Sequence, residues 1–182
     1  MNAIAFIACS MDGYIAKSDG DIEWLTSIPN PTESDYGFGE FFETVDAVLM
    51  GRNTFIMVDK MNYWPYSKMV YVWSNTLGPL DKKYEDKARI IHGDVEEIII
   101  QLERFGIKRI YVDGGKTIQS FLQNNLLDEI ILTTISIVLG NGIPLFAKQE
   151  KEIEFDLYRT QMVDKYMVTN YYKRRNRTTA ST

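Results

Sequence analysis

Three short segments of this sequence carry the residue types that grip a phosphate: Gly51-Arg52-Asn53-Thr54, Ser74-Asn75-Thr76 and Gly114-Gly115-Lys116-Thr117. Each follows an apolar run, and ligands of parallel α/β sheets collect outside the carboxyl ends of strands. Where a strand passes directly into a helix, the first backbone N–H groups lack an intrahelical partner and the helix dipole favours an anion. Glycine lets that backbone approach an oxyanion, and Arg52 and Lys116 can add charge-assisted contacts. One such turn is what any strand-to-helix connection uses. The recurrence of three is what points to phosphate chemistry.

Two familiar phosphate motifs do not fit. A P-loop ending at Gly115-Lys116-Thr117 needs glycine at position 110, which is Ile110. A Rossmann fingerprint needs its glycine triplet in the first strand-to-helix turn, where Gly13 and Gly20 have the wrong spacing.

The elements that must position these turns follow from periodicity. A buried strand begins at residue 2, followed by a polar loop with two Asp-Gly turn signals, at Asp12-Gly13 and Asp19-Gly20. Pro29 and Pro31 stop any helix in 22–28. Thr32-Glu33-Ser34-Asp35 has capping-box form and predicts a helix to about Thr44. Strands are expected at 47–50 and 69–73, with a helix to about Lys60 between them, and at 89–91. Asp94 and Glu97 cap a helix whose Val95, Ile98, Ile99 and Leu102 share one face, and Gly106 ends it. A strand at 110–112, a helix from Lys116 to about Asn124 and a long strand at 129–138 follow. The pairs 154–163 and 166–173 read as strands turning at Asp164-Lys165. The fold class expected is α/β: three layers around a mostly parallel mixed sheet with an antiparallel C-terminal edge. Residues 1–175 read as one domain and 176–182 as a frayed tail.

Composition narrows the function. Of 182 residues, 45% are hydrophobic and 25% charged, as in an ordinary soluble globule. A single cysteine, Cys9, and a single histidine, His92, build neither a disulfide nor a Cys/His zinc site, so no metal is expected. A net charge of −5 argues against nucleic acid as a partner. No apolar run approaches the roughly 18–20 residues of a membrane span, and no basic segment precedes the apolar start, so the expected location is cytoplasmic. Asn176-Arg177-Thr178 matches a glycosylation pattern that means nothing without secretion. Cys9 reads as a small hydrophobe, His92 as a strand-end residue and Asp12 as a turn residue. The aromatics of Asn62-Tyr63-Trp64-Pro65-Tyr66, if exposed, suggest a homodimer interface.

Met50-Gly51-Arg52-Asn53-Thr54, Val112-Asp113-Gly114-Gly115 and the stretch from Leu127-Asp128-Glu129 to Gly140-Asn141-Gly142 together resemble the dihydrofolate reductase fold family. Ser10-Met11-Asp12-Gly13-Tyr14-Ile15-Ala16 and Leu139-Gly140-Asn141-Gly142-Ile143-Pro144-Leu145-Phe146 are closer to its riboflavin-pathway reductase branch. The resemblance spans about residues 2 to 173 and implies NADPH and hydride transfer to a small heterocycle. It sets Ala8, Ile15 and Ala16 along the nicotinamide, with Gly51, Arg52, Asn53 and Thr54 at the phosphates near the adenosine end. Ser74 falls near the 2′-phosphate, and Gly114, Gly115, Lys116 and Thr117 on the pyrophosphate. Phe6, Phe38 and Thr133 are the expected substrate contacts. Asp35 falls where folate reductases carry their acid. Buried against Phe38, Phe41 and Phe42, it would have a raised pKa suited to protonating a substrate nitrogen. The competing reading keeps Asp35 as a helix cap.

The sequence also departs from the folate reductases. Their Leu-Pro-Trp loop is missing, Trp24 stands eleven residues before Asp35, and Asn75 occupies the place of a basic residue. The zinc deaminase that often accompanies the riboflavin branch is absent from this composition. A non-catalytic nucleotide-binding module on the same fold is therefore the alternative to a reductase.

Overall fold

In the computed structural model, which describes residues 1–61 and 63–175, the uncharged runs of the sequence become the interior strands of a sheet. The strands are β1 (Asn2–Ser10), β2 (Tyr14–Ala16), β3 (Ala47–Gly51), β4 (Val70–Trp73), β5 (Ala88–Ile91), β6 (Arg109–Asp113), β7 (Glu129–Ile135), β8 (Ile143–Pro144), β9 (Phe155–Met162) and β10 (Met167–Arg174). The helices are α1 (Glu23–Thr26), α2 (Phe38–Glu43), α3 (Arg52–Asp59), α4 (Val95–Arg104) and α5 (Gly115–Gln123). Among the described residues, eight strands form the main sheet in the order β5-β4-β3-β6-β1-β7-β10-β9, and β2 pairs with β8 apart from it. The six strands from β5 to β7 are parallel, and β10 runs antiparallel to both β7 and β9.

Alternate residues of the parallel strands feed two cores. Val48, Met50, Val70, Val72 and Tyr111 pack with Phe41, Phe42 and Phe55 of α2 and α3. Ala47, Leu49, Ile110 and Val112 pack with Val95, Ile98 and Leu102 of α4 and Ile118, Phe121 and Leu122 of α5. Burial on both faces is why these strands read as near-continuous apolar runs.

The connections create a crevice. From β3 the chain leaves through α3 toward β4; from β6 it leaves through α5 toward β7, in the opposite direction along the sheet. Right-handed crossovers put those two helices on opposite faces, so the neighbours β3 and β6 flank a topological switch point. Both glycine turns lie there.

Three expectations are corrected. The helix expected from Thr32 to Thr44 shortens to α2, because Glu33 (φ 49°), Tyr36 (φ 55°) and Gly37 (φ 84°) take left-handed backbone. Asn30 competes with the helix by accepting the Ser34 N–H at 2.9 Å and donating to the Ser34 carbonyl at 2.8 Å. The long strand ends at Ile135 instead of 138, since Ile137 N–H turns back to the Ile135 carbonyl and the Ile137 carbonyl accepts Met11 N–H. Trp64 and Tyr66 are half-buried with Phe55, Phe42 and Tyr84 and build this chain's own core, which leaves Tyr63, 69% exposed, as the surface aromatic of that segment. Asn62, the expected tail 176–182 and its Asn176 pattern lie outside the described residues. No helix among the described residues is long and apolar enough to cross a membrane.

Candidate active site

The two glycine turns interlock across the switch point. A β-carbon on Gly51 would lie 3.2 Å from Thr117 Oγ1, and one on Gly114 would collide with Thr54 Oγ1. Each turn thus omits a side chain where the other seats a threonine. Gly114 also holds φ 89°, a backbone open to glycine and strained for other residues. A β-carbon on Gly115 would strike Ile15 Cδ1, so β2 lies directly over the start of α5. The structure therefore brings together Ile15, Gly51, Thr54, Gly114, Gly115 and Thr117.

Gly51 and Gly114 are the N-caps of α3 and α5, and neither helix is capped by a side chain. Their leading N–H groups are left for an external acceptor. Arg52, Asn53 and Lys116 are exposed beside them. Two glycine-led helix starts with flanking cations fit a diphosphate.

Toward β4 the polar groups are largely occupied by the protein. Ser74 is buried, and its Oγ accepts the N–H groups of Thr76 at 3.2 Å and Leu77 at 3.0 Å. Arg52 donates to Thr76 Oγ1 at 2.9 Å, and Asn75 Oδ1 accepts Gly93 N–H at 3.1 Å. His92 Nδ1 meets the Ser74 carbonyl at 2.6 Å, which makes that nitrogen the donor.

The expected substrate contacts share one face of the sheet. Phe6 stacks on Phe41 at 4.9 Å and meets Phe38 edge-on at 5.6 Å. Ala8 pairs in register with Thr133, whose buried hydroxyl bonds that of Thr169 at 2.9 Å. Trp24 closes the far side over Ala8, Ile135 and Met167. Ala16 is buried at the end of β2.

Asp35 takes a different setting from the one that would suit an acid. It is exposed, and its carboxylate accepts the N–H groups of Gly39 and Gly37, each at 2.9 Å. Those bonds, Gly39 first, hold its pKa below the usual carboxylate value. The capping reading describes it; the buried, proton-holding role does not.

The carboxyl whose pKa burial raises is Asp113, at the carboxyl end of β6 beside Gly114. Tyr66 donates its hydroxyl to Asp113 Oδ2 at 3.1 Å, and the Tyr111 hydroxyl lies nearby, donating to the Phe6 carbonyl at 3.2 Å. Burial raises the Asp113 pKa, against the opposing pull of both tyrosine hydroxyls and Gly114 N–H. Burial likewise pushes the Tyr66 hydroxyl well up. Sequence reasoning used Asp113 only as part of a turn motif. Its available signal was a lone carboxylate between an apolar strand and a glycine turn.

The first loop and the loop after β7 form one unit. Asp12 accepts Ser10 Oγ at 2.6 Å, Leu139 N–H at 3.1 Å and Gly140 N–H at 2.7 Å, which hold its pKa low, the serine foremost. Gln119 of α5 donates to the Pro144 carbonyl at 2.8 Å and so fixes β8 over the site. Cys9 is buried, and burial pushes its thiol up. A surface recess of about 580 Å³ lies at the amino ends of β1 and β6 among Met1, Asn2, Lys108, Asp128 and Arg174, away from the switch point. Among the described residues, no three of His, Cys, Asp and Glu come together as a metal site.

A family model of the RibD C-terminal domain matches residues 2–169, from the start of β1 into β10. The chain belongs to the RibD C-terminal domain family. Uncharacterized protein YwjB of Bacillus subtilis is 32% identical over 173 residues, covering 93% of this chain and 97% of YwjB. A candidate riboflavin biosynthesis protein from Shewanella sp. PV-4 is 43% identical with a TM-score of 0.92, covering 96% of this chain and 99% of its own. Dihydrofolate reductase from Enterococcus faecalis, solved with NADP(H), has a TM-score of 0.66 at 17% identity, covering 95% of this chain and 96% of its own. That last likeness shows the fold: a mixed, mostly parallel sheet like that of dihydrofolate reductase. The RibD C-terminal domain match spans both glycine turns, Asp113 and Thr133.

Proposed function

We propose that this chain is an NADPH-dependent reductase that passes hydride to a small pterin- or pyrimidine-like heterocycle, in the manner of dihydrofolate or ribosylaminouracil reductases. The observation that carries this reading is the interlocked pair of uncapped glycine turns beside an aromatic floor at the switch point. Membership of a reductase-like family supports it.

NADPH supplies the hydride when bound. The chain supplies everything else. The leading N–H groups of α3 and α5, with Arg52, Asn53, Thr54, Lys116 and Thr117, hold the phosphates. Ser74 borders the adenosine end. Ala8, Ile15 and Ala16 exclude water along the nicotinamide, and Phe6, Phe38 and Thr133 orient the heterocycle. Asp113, hydrogen-bonded to Tyr66 and raised by burial, holds a proton for a substrate nitrogen.

The test is a thermal shift with NADPH, with NADH and without ligand. A ligand that binds only the folded state at 100 times its Kd stabilises it by about 2.7 kcal/mol. A higher midpoint with NADPH is expected, and no shift with either cofactor would sink the reading. Loss of reduced-nicotinamide absorbance with a panel of pterins and aminopyrimidines then tests turnover. Binding without turnover of any panel member would favour the non-catalytic nucleotide-binding module.

A further inference from the structure

Tyr66 reaches Asp113 from a part of the chain that forms neither helix nor strand. The segment 63–69 runs between α3 and β4 outside regular structure, and several contacts fix where Tyr66 stands in it. Pro65 immediately before it locks one backbone angle. The Tyr66 ring lies 5.5 Å from that of Trp64, edge-on, and 6.0 Å from that of Phe42. Two residues on, the Lys68 ammonium donates to the carbonyls of Phe42, Glu43 and Val45 at the end of α2. The segment is thereby held from α2, and the Tyr66 hydroxyl is delivered to the end of β6, 47 positions along the chain.

Hydroxyl chemistry separates the two tyrosines beside Asp113. The Tyr111 hydroxyl has one proton, which goes to the Phe6 carbonyl at 3.2 Å. Tyr66 gives its proton to Asp113 Oδ2 at 3.1 Å. A neutral carboxyl group accepts through its carbonyl oxygen and donates through its hydroxyl, so a donor on Oδ2 leaves the Asp113 proton on Oδ1. Burial keeps the Tyr66 hydroxyl from ionising, which makes it a fixed donor and no source of protons itself. The groups that act on Asp113 are these two hydroxyls and the Gly114 N–H, none of them charged, and Met50 of β3 stands beside it in register. Asp113 is densely surrounded yet keeps some exposed surface, at the carboxyl end of a strand, where ligands collect.

On the reductase reading, we propose that Tyr66 is the positioning residue of this site, pinning Oδ2 so that the Oδ1 proton of Asp113 faces the crevice. When hydride adds to a substrate carbon, the electron pair freed on the neighbouring nitrogen takes that proton. An N–H bond forms, the Asp113 O–H bond breaks and a carboxylate is left. The hydrogen bond from Tyr66 then becomes charge-assisted and stronger, which favours the transfer.

Tyr66→Phe keeps the ring and removes the donor, which raises the Asp113 pKa further. In urea melts, the stability of Tyr66→Phe minus that of Tyr66→Phe/Asp113→Asn should fall with rising pH. That fall should come at a higher pH than the one for wild type minus Asp113→Asn. 3-Fluorotyrosine at position 66, a stronger donor of nearly the same shape, should move the fall to lower pH and keeps the test open if Tyr66→Phe does not fold. Trp64→Phe, which alters the ring cluster and leaves the Tyr66 hydroxyl, should leave the fall in place. With whichever pterin or aminopyrimidine the wild type turns over, kcat of Tyr66→Phe should drop about 10-fold while KM stays within about 2-fold. A fall at the wild-type pH in Tyr66→Phe, or an unchanged kcat, would overturn the proposal. The melts use neither cofactor nor substrate, so they decide the role of Tyr66 even if the wild type shows no NADPH shift, a result that counts against the reductase reading alone.

Discussion

The Tyr66 hydroxyl donates to the Asp113 carboxylate at 3.1 Å, tying the segment ahead of β4 to the carboxyl end of β6. Because burial raises the Asp113 pKa, the folded chain binds that proton more tightly than the unfolded chain. Asp113 therefore contributes stability that is complete below the ordinary aspartate value of about 3.9 and is lost as pH rises through the raised folded value. Asp113→Asn lacks this dependence. In urea melts, wild-type stability minus that of the variant should fall with rising pH; a flat difference would mean an ordinary, solvated carboxyl. Turnover of Asp113→Asn should drop about 100-fold or more while its NADPH thermal shift remains.

Asp35 carries the opposite sign. Backbone N–H groups lower its pKa, so its contribution is present above the unfolded value of about 3.9 and is lost as pH falls through the folded one. Asp35→Ala should lower the melting temperature at neutral pH by about 2–5 °C, a gap that closes in acid. Asp35→Asn should retain full turnover across pH. A pH-dependent loss of kcat would return Asp35 to the chemistry.

Gly114 faces two penalties on substitution, its φ of 89° and the collision with Thr54. Gly114→Ala should cost about 2–5 kcal/mol by strain and overpacking and should abolish the NADPH shift. Adding Thr54→Ala removes the nearest atom but leaves the backbone strain, so the double variant should recover part of the stability. Strict additivity in that cycle would show that the two turns do not touch.

Lys68 closes the end of α2. Its ammonium donates to the carbonyls of Phe42 and Val45 at 2.6 Å each and of Glu43 at 3.1 Å. Lys68→Met should leave those acceptors short of a donor and cost about 2 kcal/mol, lowering the melting temperature by roughly 4–8 °C. The NADPH shift should persist, since Lys68 lies at the amino end of β4. An unchanged melting curve would show that water replaces the ammonium without loss.

The sequence alone determined what depends on near neighbours. The parallel strands were legible because burial on both faces leaves uncharged runs, and α4 because Asp94, Glu97 and Gly106 act within a turn of their own positions. The glycine turns were legible for the same local reason. The look-alike box at Thr32–Asp35 misled, because Asn30 and left-handed residues outcompeted the helix there. Tertiary structure alone decided which residues share the site. Gly51 meets Thr117, and Gly114 meets Thr54, across more than 50 positions of chain, through the order in which β3 and β6 entered the sheet. It also decided which carboxyl has the raised proton affinity. Proton affinity follows desolvation and hydrogen-bond partners, and those of Asp113 come from Tyr66 and Tyr111, while Asp35 stayed in water beside its own backbone.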